Sequence, residues 1–210
     1  MRPKLAAGPT NGLLWFAAAA ALVAYTLPWM ANPDASLTFG GYDLAEWASL
    51  HPEVRAMPLW MTSLLLRLQP AILALILALN ASCPSRSPGW WVSALIVFAT
   101  AVALLPPLEF FSETSGDGNH QQQFGVALIA LGSGIGGLSG WLHKWRLSIT
   151  FSLALLGAAT SLIALTQANL LMSGLQLPSQ MGWGGLILIA VYVVLGLSCT
   201  RMRRKQGDPR

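Results

Sequence analysis

The stretch "MTSLLLRLQPAILALILALN", Met61 to Asn80, decides the fold. It is apolar over the roughly 20 residues that a helix needs to cross a hydrocarbon core, yet it carries Arg67 and, three residues on, Pro70. Five other apolar stretches accompany it. Together they set out six spans, at 13–30, 58–79, 90–105, 125–142, 147–166 and 184–200. The chain of 210 residues is 54% apolar and 10% charged, with a mean hydropathy of +0.57, which is too charge-poor for an ordinary soluble domain. The expectation is an all-α integral membrane protein, a bundle of six transmembrane helices in one domain over 1–210. No repeat and no dividing linker are visible.

Charge placement orients the bundle, because basic residues resist translocation while acids count for little. With both termini inside, Arg2, Lys4, Arg86, Lys144, Arg146, Arg201, Arg203, Arg204, Lys205 and Arg210 all fall on the cytoplasmic side, and only Arg55 lies outside. The acids sort the other way: Asp34, Asp43, Glu46, Glu53, Glu109, Glu113 and Asp117 lie outside and Asp208 alone inside. An even number of spans, N-in and C-in in a cell (inner) membrane, satisfies both. Tryptophan favours the headgroup level, and Trp15, Trp90, Trp91, Trp141 and Trp145 fall at the inner edge, with Trp29, Trp60 and Trp183 at the outer. The basic start "MRPKLAAGPTNG" precedes an uncleaved first helix, since a cut after Ala31 would put Trp29 where a small residue is needed. Cys83 and Cys199, both on the inner side, are expected as free thiols.

Two outer loops are long. In the first, Asp43 begins a short amphipathic helix with Glu46 three residues on, as in a capping box, and Leu44, Trp47 and Ala48 share one face. That face suits either a flat interfacial helix or a lid and docking surface over the bundle. In the second, two prolines end the third helix and a flexible polar stretch, "SETSGDGNHQQQF", follows. Its oxygen ligands lack the spacing of a calcium loop, and His51 and His120 sit on different loops, so no metal site is expected.

The fourth span places Gly132, Gly136 and Gly140 at four-residue intervals, a face on which a neighbouring backbone can come close. Gly157 on the fifth span offers a matching small residue. Whether this seam is internal or meets another subunit stays open, with internal packing the first expectation. The same glycines create "GLSG" at 137–140, the G-x-S-G form of rhomboid intramembrane proteases. Such an enzyme needs its serine near the outer face and a histidine on the sixth helix. Ser139 instead adjoins Trp141 and Lys144, and the sixth span has no histidine.

The remaining chemistry is sparse. No span supplies a histidine to ligate haem, and there is no nucleotide-binding loop, cysteine-pair redox motif or intramembrane carboxylate pair. No cofactor and no nucleic-acid partner are expected. The tail residues Arg201, Arg203, Arg204 and Lys205 offer a contact to anionic lipid.

Arg67 is the one deep charge. Counted from Pro58 it lies about 13 Å into the helix, close to mid-membrane, where it needs a partner. Helical side chains tilt toward the N-terminus, so Arg67 reaches outward. Three partners suit it: the Leu66 carbonyl freed by Pro70 together with Ser63, the carboxylate of Glu109, or a bound anion. The first two make a structural arginine beside a kink, and the third makes an anion or lipid site. The function expected from all of this is a non-catalytic subunit or accessory factor of a membrane complex. The alternative is a small transporter component with its site at Arg67.

Overall fold

The computed structural model describes residues 10–34, 36–57, 61–81, 87–112, 116–176 and 178–207. The expectations for Arg2, Lys4, Pro58, Trp60, Cys83, Arg86, Glu113, Asp208 and Arg210, and for the side chains of Arg204 and Lys205, lie outside the described residues. The chain is helical almost throughout. Three segments are long and apolar enough to cross a membrane: Met61–Asn80, His143–Gly174 and Trp183–Arg203. Two further helices are apolar but shorter.

The stretch quoted above forms α4 (Met61–Asn80), and it runs helically through Pro70. All of its residues except Met61, Leu64, Leu68 and Leu75 are buried, because the other helices pack around it. On one side lie α1 (Thr10–Thr26), α8 (Trp183–Gly207) and α7 (Arg146–Gly174), in contact in that order; on the other lie α5 (Pro88–Ala103) and α6 (Gly118–Leu138). Across one end lies α2 (Gly41–Leu50), followed by the single-turn α3 (Pro52–Ala56).

A small antiparallel sheet closes the same end. Its strands are β1 (Met30–Asn32), β2 (Leu37–Phe39) and β3 (Gln180–Met181), in the order β2-β1-β3. Met30 faces Phe39 on one side and Met181 on the other, so the end of α1 is tied to the start of α8. The ladder continues as Gly182 N–H donates to the Trp29 carbonyl and Gly184 N–H to the Pro28 carbonyl, both 2.8 Å. A side chain at Gly182 would meet the Pro28 carbonyl. Trp29 is therefore fully buried at the end of α1, and its indole N–H donates to the Ala24 carbonyl at 3.2 Å.

The second half of the long polar stretch before the fourth span is helical. Asp117 caps α6 through the Asn119 and His120 N–H groups at 2.8 and 3.1 Å, so the helix begins at Gly118 and takes in "GNHQQQF".

Within the bundle, polar side chains set the register of α4 against α7. Thr62 Oγ1 donates to Gln167 Oε1 (2.9 Å), Gln69 Nε2 to Thr160 Oγ1 (2.9 Å) and Asn80 Nδ2 to Thr150 Oγ1 (3.0 Å). Intervals of seven and eleven residues keep the three α4 partners within about 20° of one another around the helix. The two helices run antiparallel, and each rung fixes one level.

Glycines set the closest approaches. Gly157 is a close-packing residue, but against α8 and not against the fourth span, since a Cβ there would collide with the Tyr192 ring of α8. In α6 the internal contacts belong to a different pair from the expected one. Gly134 lies against Val97 of α5, and a Cβ at Gly137 would come within 2.9 Å of Ala78 Cβ in α4. At Gly132 and Gly136 a Cβ would meet nothing within 4 Å, so these two face outward. Gly140 ends the helix in a left-handed turn, with φ of 78°, which is why a glycine stands there.

Replacing Gly157 by alanine should destabilise the bundle by about 1–3 kcal/mol through overpacking against Tyr192. Gly125→Ala, with open space around it, should leave stability unchanged or slightly raised. Thermal unfolding in detergent measures both, and equal melting points would contradict this packing.

Candidate functional site

Beneath α2, polar side chains from three elements converge on Arg67. The guanidinium is fully buried, in the second turn of the most enclosed helix. Its Nη1 donates to Asn119 Oδ1 at 2.6 Å and to Gln122 Oε1 at 3.1 Å, both in the opening turns of α6. Its Nη2 meets Glu46 Oε1 of α2 at 2.9 Å, the one ion pair among the described residues. Gln123 Nε2 donates to that same Glu46 oxygen at 2.6 Å. The cluster therefore joins α2, α4 and α6 through one guanidinium and one carboxylate.

Local sequence explains each placement. Asp43, at the third position of α2, accepts from the Gly40 N–H at 3.3 Å, so the helix starts three residues before the expected cap and Glu46 is left free to turn inward. Gly41 is small because a Cβ there would press into the Tyr25 ring, within 2.6 Å of its Cδ2. Leu44, Ala45 and Ala48 are buried and Trp47 packs beside them, so the apolar face of α2 lies on the bundle. The lid reading of that face fits the contacts, since α2 covers the end of α4 and Ala48 packs with Leu171 of α7.

The expected partners of Arg67 are redistributed. Glu109 is exposed in a 3-10 turn (Leu108–Phe111) and makes no contact with the guanidinium, because α2 brings Glu46 there first. Ser63 joins the cluster indirectly, its Oγ donating to Gln122 Oε1 at 3.1 Å. Pro70 is buried one turn deeper, and none of the Arg67 bonds goes to the Leu66 carbonyl. Sequence reasoning misses Asn119, Gln122 and Gln123. The signal for them is the run "NHQQQ" directly before an apolar helix, which gains a purpose once those turns are helical.

The chemistry of the arrangement is retention of charge. Arg67 and Glu46 neutralise one another, and side-chain amides accept or donate the remaining bonds. Glu46 keeps about a third of its side chain exposed, so it links a buried cation to solvent. Partial burial and the Glu46 carboxylate raise the Tyr42 phenol above its ordinary range, while Arg67 opposes the shift. Arg67 Nε, Gln123 Oε1 and the Tyr25 hydroxyl are buried without a partner among the described residues. Among the described residues no group of histidine, cysteine and carboxylate side chains could hold a metal ion.

No protein-family model matches this chain, and neither a curated protein nor a solved structure is detectably similar to it.

Removing one partner of a largely buried pair leaves the other uncompensated. Arg67→Met and Glu46→Gln should each destabilise the protein, by about 2–4 kcal/mol for Arg67→Met and less for the part-exposed Glu46. The double variant should cost less than the sum of the two. Additive losses in a double-mutant cycle would show that the pair is not coupled.

Proposed function

We propose that the protein is a six-span bundle of a cell (inner) membrane, with both termini cytoplasmic, acting without catalysis as a subunit or accessory factor of a membrane complex. The ends of the helices support the topology. One end of the bundle gathers α2, the small sheet and the described acids Asp34, Asp43, Glu46, Glu53, Glu109 and Asp117. The opposite end gathers Lys144, Arg146, Arg201 and Arg203, as a cytoplasmic face requires. On this reading α1 and α5, the shorter helices, cross with help from their flanks.

The observation that carries the subunit reading is the outward ridge of α6. A Cβ at Gly125, Gly132 or Gly136 would meet nothing within 4 Å among the described residues, whereas Gly134 and Gly137 already supply the internal contacts of α6. In lipid there is no hydrophobic drive between helices, so a second small-residue face gives close backbone approach to another helix. The alternative, a transporter component with an anion site at Arg67, has less support. Both Nη atoms of Arg67 already bond to Glu46, Asn119 and Gln122, and the carboxylate offsets its charge.

Gly132→Leu with Gly136→Leu should leave the melting temperature essentially unchanged while stripping co-purifying membrane proteins from the tagged full chain in mild detergent. Gly137→Leu, on the internal face, should instead lower the melting temperature. Partners retained in full by the Gly132/Gly136 variant, or a wild-type chain that purifies alone, would overturn the reading.

A further inference from the structure

The end of the bundle away from α2 holds a cleft that the Arg67 cluster does not involve. It has a volume of about 420 Å³ and lies between the turn preceding α7 and the last turns of α8. Lys144, Arg146 and Arg203 line it, with His143 and Ser148 beside them. None of the three cations has a carboxylate partner among the described residues, whose one ion pair is Arg67 with Glu46. Positive charge therefore accumulates there without a counter-ion among the described residues.

The backbone adds to the same field. Ser87 and Asp117 cap α5 and α6 with side-chain oxygens, but the residue before α7, Trp145, makes no such bond, and the first turn of α7 contains no acid. The 3-10 turn His143–Trp145 runs straight into that 29-residue helix and takes up its first N–H, which Arg146 donates to the His143 carbonyl, so what faces the cations is the positive end of the helix dipole with no acid in the first turn to offset it.

Two features set the depth and the tail. Trp141 and Trp145 flank the cleft and are 82% and 56% exposed, as rings at a headgroup boundary are. Lys144 Nζ lies 5.3 Å from the centre of the Trp145 ring. From Ser148, intervals of seven residues lead along α7 to Leu155 and Leu162, both more than half exposed. They form an apolar track running from the cleft toward mid-membrane.

We propose that this cleft binds the phosphate of an anionic lipid in the cytoplasmic leaflet, with Lys144, Arg146 and Arg203 on the headgroup and an acyl chain along Leu155 and Leu162. The leaflet, though not the binding, rests on the N-in, C-in topology above. Basic pockets between helices at a cytoplasmic boundary recognise such headgroups.

The test uses the full chain in phosphatidylcholine nanodiscs, with and without phosphatidylglycerol, read by lipid retention in native mass spectrometry and by thermal stability. Phosphatidylglycerol should be retained and should stabilise the protein. Lys144→Gln and Arg203→Gln should each weaken retention about fivefold, the worth of one basic residue near an anionic surface. Arg201→Gln makes the same charge change at an exposed residue outside the cleft and should have little effect. Equal losses at Arg201 and Arg203 would replace a site with diffuse attraction and overturn the proposal. So would inorganic phosphate stabilising the protein as well as the lipid does, since the ligand would then be a free anion. The topology is read separately: Trp141→Cys, with Cys83→Ser and Cys199→Ser, should react with a membrane-impermeant maleimide only after cells are opened. Labelling of intact cells would overturn the cytoplasmic leaflet while the Arg203 dependence still reported on the cleft.

Discussion

A guanidinium in the most enclosed helix of a bundle must be supplied with acceptors, and that requirement organises this end of the molecule. Burying it alone would cost several kcal/mol. Arg67 escapes that cost because α6 extends upward as a polar helix to deliver Asn119 and Gln122, and because α2 folds inward to deliver Glu46. Gln123 then ties the carboxylate to α6. The glutamine-rich run has no meaning as a loop. As the first two turns of a helix it is the solvation shell of a cation.

On the proposed topology, α4 packs in a medium in which burial of apolar surface gives no net attraction between helices. Its three polar rungs to α7 are each worth on the order of 0.6 kcal/mol, the average for hydrogen bonds between membrane helices. Their larger effect is on register, because a slip of one residue would separate every amide from its hydroxyl. Glycines act on distance where the rungs act on register. Gly137 brings α6 to the backbone of α4 near Ala78, and Gly157 admits the Tyr192 ring between α7 and α8.

Much of this is legible in the sequence, in proportion to how local the physics is. The stretch Met61–Asn80 forms a helix with nearly the expected bounds, since hydropathy over one segment settles it. The outward reach of Arg67 follows from the tilt of helical side chains. Its partner does not follow. In the sequence Glu109 and Glu46 read alike as loop acids, and only the folding of α2 onto the bundle separates them. The protein contacts of Trp29 are hidden for a related reason, because the sequence does not show that Gly184 and Gly185 pack on its ring until β3 is paired with β1. The spacing of the α6 glycines is visible, but 132/136 and 134/137 are interleaved, and the interval alone does not say which pair faces in.

The rotation of α6 decides that question, and Arg67 sets the rotation. At about 100° per residue, Gly134 lies roughly 20° and Gly137 roughly 40° from Gln123 around the helix, whereas Gly132 lies opposite at about 180° and Gly136 at about 220°. With Asn119 and Gln122 bound to Arg67 and Gln123 bound to Glu46, the face of α6 that carries Ala127, Ala130, Gly134 and Gly137 must turn toward α4 and α5. Gly132 and Gly136 are then directed away from the bundle by the same bonds. The buried charge and the outward glycine ridge are thus one feature seen from two sides: the polar contacts that hold α6 in place also choose the surface it turns away from the bundle.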